Sequence, residues 1–163
     1  MTLQKKKYQQ VILYLCKKLG GEIQGKKKLA KLLYFADFDF FEKNQKPITG
    51  DTYKALPMGP VPVSFEKIIS EMSEKKILLA KAVELGNGYN PIEVYSSLAE
   101  PDELILDIEE RRMLDRVAIK YGQLNGKQLG ELSHAEAPYV GTKPGEDISY
   151  ELAFYRGTDF SDL

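Results

Sequence analysis

The stretch KLLYFADFDFFEKNQKPITGDTYKALPMGPVPVSFEKII, Lys31 to Ile69, restricts this chain more than any other part of it. With Leu29 ahead of it, Leu32, Leu33, Ala36 and Phe40 recur at helical spacing on one face, while Tyr34, Phe38 and Phe41 take another. A helix apolar nearly all round has no face to give to water, so the spacing predicts a central helix with other elements packed around it. The helix is expected to open near Gly25 and run to about Lys43. Ile48-Thr49-Gly50-Asp51 then reads as a turn, Tyr53 and Ala55 as a short strand, and Gly59-Pro60 as a bend. Pro62, suited to a first helical turn, is expected to start a helix carrying Phe65, Ile68, Ile69 and Met72.

The remaining segments follow the same periodicity. Tyr8, Val11, Ile12, Leu15, Cys16 and Leu19 form the apolar stripe of a first helix that Gly20-Gly21 stops. ILLAKAV, the Gly86-Asn87-Gly88 turn and IEVYSSL read as a hairpin. Asp107 with Glu110, and Asn125 with Gln128, are capping boxes for a fourth and a short fifth helix, and Pro138 with Lys143-Pro144-Gly145 sets off a last helix near Tyr150 to Tyr155. The expected fold is therefore mostly α with a small antiparallel β element, one compact domain over residues 1–163 with a core from about 8 to 156. At 163 residues such a domain buries roughly 70% of its unfolded surface, enough for a core without disulfides or metal.

Composition narrows the class. The apolar fraction of 43%, the charged fraction of 29% and a mean hydropathy of −0.34 belong to a globular protein, and the run Val11 to Cys16 is too short for a signal-peptide core or a membrane span. The expected location is the cytoplasm. The net charge of −1 conceals polarity along the chain: residues 1–31 hold nine lysines against Glu22 alone, whereas residues 100–163 hold 14 acids and 7 bases. Such ends complement each other or present two surfaces to different partners.

Chemistry has little to work with. Cys16 and His134 are the only cysteine and histidine, and Cys16 lies on an apolar stripe where a thiol packs as a small hydrophobe. Two such side chains fall short of a four-ligand zinc site. Asp37 and Asp39 interrupt the apolar helix but stand two residues apart, about 200° around it, so they cannot share a site. Asp37 is expected to accept hydrogen bonds from backbone or tyrosine, and Asp51 to act as a turn or cap residue. No phosphate loop, nucleophile elbow or His-x-x-x-His pair is present. The chain reads as no enzyme, with no cofactor and no metal.

KLLYFAD followed by GDTYKALPMGPV, and later YGQLNGKQLGELSHAEAPYV with GEDISYELAFY, resembles the Panacea or SocA-like antitoxin domain of bacteria and their phages. The likeness runs from about Val11 to Tyr155, with Tyr139 standing where the family usually places Trp. It implies a non-catalytic antitoxin that binds and neutralises a cognate toxin, encoded by an adjacent gene, through protein–protein contact. The candidate contact residues are Asp51, Tyr53, Met58, Gly59 and Pro60, read as one exposed rim, with His134 and Tyr139 beside it. His134 also has a purely structural reading, clamping the fifth helix to the core against Tyr139. Two alternatives stand beside the antitoxin. One is a DNA-binding repressor, in which the first two helices act as a helix-turn-helix and Lys26, Lys27 and Lys28 meet phosphates. The other is an adaptor that presents a partner to a protease. Few base-reading side chains lie on the second helix, so any nucleic-acid contact is expected to be non-specific.

Overall fold

A computed structural model describes residues 2–163. Helix outweighs strand, in the order α1 (Lys5–Lys18), β1 (Glu22–Gln24), α2 (Lys26–Asn44), β2 (Tyr53–Leu56), β3 (Gly59–Pro62), α3 (Phe65–Glu74), β4 (Leu78–Val83), β5 (Ile92–Ser97), α4 (Ile108–Tyr121), α5 (Gly126–His134), α6 (Ala137–Val140) and a 3-10 helix, Tyr150–Tyr155. The strands are antiparallel and form two small sheets, β1-β5-β4 and β2-β3.

Every residue of α2 from Leu29 to Phe41 is buried, including Lys31, Asp37 and Asp39. The helix packs against α4, α5, β3 and the 3-10 helix. Its aromatic side continues into neighbouring elements: Phe35 stacks on Tyr121 at 4.0 Å, Phe38 on Tyr150 at 4.7 Å, and Tyr53 meets Phe38 edge-on. At the other end of α1, Gly20 and Gly21 take φ of +91° and +106°, a conformation that ends the helix where the sequence places the stop. Both capping boxes are formed, Asp107 with Glu110 and Asn125 with Gln128.

Several local expectations need correction. The stretch read as a strand and then a bend is a complete hairpin: Gly59-Pro60 belongs to β3, and the turn falls at Pro57-Met58. Pro62 ends that strand, and α3 starts later, at Phe65. The hairpin of β4 and β5 is also part of a three-stranded sheet, because Ile23 of β1 pairs with Tyr95. β1 consequently lies between α1 and α2 in the chain, so they do not follow each other as helix, turn and helix. Pro138 does not merely separate helices; it sits in the first turn of α6.

The two carboxylates inside α2 face different surroundings, as their spacing requires. Asp37 takes four donors, Ile48 N at 2.9 Å and Thr49 N at 2.7 Å on one oxygen, and the Thr49 and Tyr53 hydroxyls on the other. Burial pushes its carboxyl up to about 6, against those donors, which favour the carboxylate. Asp39 is shared by two guanidiniums, Arg116 Nη1 at 2.9 Å and Arg156 Nη2 at 2.6 Å. Arg156 also binds Glu42 and Glu136, and Arg116 binds Asp162 beneath the Phe160 ring. Desolvation opposes the charge on Arg156, and Asp39 and Glu136 outweigh it.

Asp39→Ala strands two buried guanidiniums and is expected to cost about 3 to 5 kcal/mol, a large part of the ~5 to 15 kcal/mol available to a domain. Lys5→Ala, which removes an exposed pair with Glu71, is expected to cost less than about 1 kcal/mol. Urea unfolding at neutral pH checks both, and equal losses would overturn the assignment.

Alkali should unfold the protein cooperatively. Seven tyrosines (Tyr8, Tyr14, Tyr34, Tyr53, Tyr95, Tyr121 and Tyr150) are shifted upward, foremost by burial. The folded state keeps their protons above the unfolded pKa near 10, so stability drains as pH rises past that value. Phenolate absorbance from buried rings should appear together with loss of helical circular dichroism; ionisation of all tyrosines with the fold intact would refute the expectation.

Candidate partner interface

Three side chains from other elements brace the turn between β2 and β3 and the strand ends beside it. Tyr139 donates its hydroxyl to the Leu56 carbonyl at 2.7 Å, His134 Nε2 lies 2.9 Å from the Pro57 carbonyl, and Lys31 donates to the Pro60 carbonyl at 2.7 Å. Met58 sits between these braces with 58% of its surface exposed. His134 Nδ1 also lies 2.7 Å from the Gly130 carbonyl, and the ring meets Tyr139 edge-on at 4.6 Å. A carbonyl only accepts, so only the doubly protonated ring makes both contacts as hydrogen bonds. α5 supplies His134 because its capping box starts it at Gly126 and carries it to the level of the turn. Pro138 then begins α6, which places Tyr139 beside the imidazole.

The sequence-derived rim divides into an inside and an outside. Asp51 and Tyr53 are 2% and 0% exposed, and Gly59 and Pro60 are buried as well. These four are therefore not an exposed rim. Asp51 accepts from Tyr8 Oη at 2.8 Å and Ser64 N at 3.1 Å, joining α1 to the start of α3, and the Tyr53 hydroxyl is spent on Asp37. Gly59 has φ of +106°, and a Cβ there would stand 3.0 Å from Ser133 Oγ and 3.1 Å from Lys31 Cε. Glycine is needed for both reasons. Met58 is left exposed, with His134 and Tyr139 half-buried behind it.

The three consecutive lysines diverge. Lys26 pairs with Glu66 and lies over the Phe65 ring, and Lys28 donates to the Gly122 carbonyl at 2.7 Å. Lys27 extends along α5 past Gly126 and Gly130, where a Cβ would meet its Cβ at 3.1 Å and its Cε at 2.7 Å respectively. Lys31, four residues on, is 1% exposed, and burial with the nearby Lys27 charge lowers its ammonium to about 8. The one mark of Lys31 in the sequence is a charge at an otherwise apolar helical position.

Cys16 and His134 are each occupied elsewhere. The thiol, pushed up to about 12 by burial and by Glu22, faces the Tyr95 carbonyl at 3.7 Å, while the imidazole faces Pro57 and Gly130. Among the described residues no group of three or more His, Cys, Asp or Glu side chains is placed to hold a metal ion, and no helix is long and apolar enough to cross a membrane.

Set against known families, residues 29–139 match the one described as antitoxin SocA-like, Panacea domain. No curated protein and no solved structure matches the chain.

Tyr139→Phe keeps the ring against His134 and removes one hydrogen bond, for an expected loss of about 1 kcal/mol. Met58→Ala should change stability by no more than about 0.5 kcal/mol, because the side chain stands in solvent. Thermal melts of both variants check the division between brace and display; a larger loss for Met58→Ala would reverse it.

Proposed function

We propose, since the chain belongs to the antitoxin SocA-like, Panacea domain family, that it is a non-catalytic protein which binds and neutralises a toxin encoded by an adjacent gene. Family membership carries this reading, and the braced Met58 turn supports it as the point of contact. An exposed methionine is polarizable and adapts to irregular surfaces, and a turn held at Leu56, Pro57 and Pro60 loses little conformational freedom on binding. His134 and Tyr139 hold the turn in position, and the exposed edges of their rings extend the contact surface. Asp51, Tyr53, Gly59 and Pro60 act from inside, by fixing the loop that carries the turn.

Expression of the neighbouring gene product alone should arrest growth, and co-expression with this chain should restore it and yield a complex on purification. Met58→Asp should abolish both rescue and complex while the variant melts like the parent. Rescue without a physical complex would overturn direct contact, and sequence-selective binding to the protein's own upstream DNA that survives about 0.2 M salt would replace the antitoxin with a repressor.

A further inference from the structure

Beside Met58 lies a recess of about 330 Å³ lined by Lys26, Lys27, Ala30, Lys31, Met58 and Val61. Its electrostatics are out of keeping with the rest of the fold. Lys27 and Lys31 are like charges four residues apart on one helix, an arrangement that destabilises a helix. They lie in the opening turns of α2, where the helix dipole already repels cations, and no acidic residue occupies that first turn. Neither ammonium has a carboxylate partner among the described residues. Lys31 spends one of its three donors on the Pro60 carbonyl, and burial, together with the nearby Lys27 charge, works against its ammonium. The other buried cations are paired with a carboxylate: Arg116 and Arg156 both hold Asp39. These two obey that rule and Lys31 breaks it, which marks a place whose missing partner comes from outside.

We infer that this recess receives an acidic residue of the partner protein together with an adjoining apolar side chain, the carboxylate meeting the half-buried Lys27 in the field of the buried Lys31 behind it, and the apolar group resting on Ala30, Met58 and Val61. The chemistry is complementary in both halves: the Lys27 ammonium, with the buried Lys31 behind it, at one edge, and an aliphatic and thioether floor over the rest. Lys27 is positioned for this by α5, since only glycine at 126 and 130 leaves room for its side chain to lie along that helix. The site rests on the proposed direct contact with a toxin and states what that contact recognises.

N-acetyl-leucine, which joins a carboxylate to an apolar side chain, is a minimal probe, and N-acetyl-leucinamide lacks only the charge. Followed through lysine side-chain Cε resonances, N-acetyl-leucine should shift Lys27 and Lys31, and the amide should not. Lys27→Glu should weaken the response at least about tenfold. Gly130→Ala should weaken it too, because the added Cβ displaces the end of the Lys27 side chain without altering any charge. Equal responses to acid and amide, or tighter binding of inorganic phosphate or short duplex DNA at the same lysines, would overturn the inference. With the adjacent gene product, Lys27→Glu should weaken the complex at least about tenfold. If the parent forms that complex and Lys27→Glu forms it equally well, the recess is not the site and direct contact still stands. If the parent forms none, direct contact fails, and the N-acetyl-leucine titration decides the recess by itself.

Discussion

One buried carboxylate organises the far side of the molecule. Asp39 is wholly buried and would be prohibitively costly alone, yet Arg116 from α4 and Arg156 from just beyond the 3-10 helix converge on its two oxygens. Each guanidinium has further donors to place, and their placement draws in the rest: Glu42 of α2, Glu136 ahead of α6, and Asp162 of the C-terminal segment. Tyr34 adds a hydrogen bond to Glu136, so the network also reaches the aromatic side of α2. Four separate parts of the chain are thus aligned by the need of this one buried carboxylate and its two guanidiniums for counter-ions.

Asp37, two residues earlier, does the same on the opposite side with neutral donors. Its demand for two backbone N–H groups and two hydroxyls pulls residues 48–53 inward. That explains why the segment misleads when read as sequence. Gly50-Asp51 and Tyr53 have the composition of an exposed aromatic turn, but the carboxylate that buries them lies on another element. Helical periodicity made α1 and α2 legible, and the capping boxes at Asp107 and Asn125 marked the starts of α4 and α5 because those signals are local. β1 gave no such signal. It has three residues with a single buried position, and its partner β5 lies some 70 positions later. Pro60 and Pro62 argued against a strand, yet they alternate along β3, so their missing N–H groups fall on the side away from β2 and the ladder is kept. Of the candidate contact surface, Met58, His134 and Tyr139 were legible as a group; the burial of Lys31 was not, because its surroundings are made by α5 and β3.

The braced turn and the lysine recess are two aspects of one local arrangement. Lys31 holds the Pro60 carbonyl, so the same ammonium that fixes the display of Met58 also places a buried positive charge behind the recess. Replacing it by an apolar residue would relieve the repulsion with Lys27 and, at the same time, orphan a buried carbonyl. The fold keeps both functions in one side chain.

The pairing of Asp39 with Arg156 spans 117 positions, and this imposes an order on biosynthesis. At about 5 to 20 residues per second, the carboxylate waits roughly 6 to 23 seconds before its second guanidinium is even polymerised. Until then α2 carries an apolar surface nearly all round and a half-neutralised acid within it. A nascent chain in that condition has every reason to stay open and to engage whatever hydrophobic surface the ribosome or a chaperone offers. The Asp39 network therefore closes only after Arg156 has been made, and truncations that remove Arg156 should be read as folding lesions before they are read as losses of a binding site.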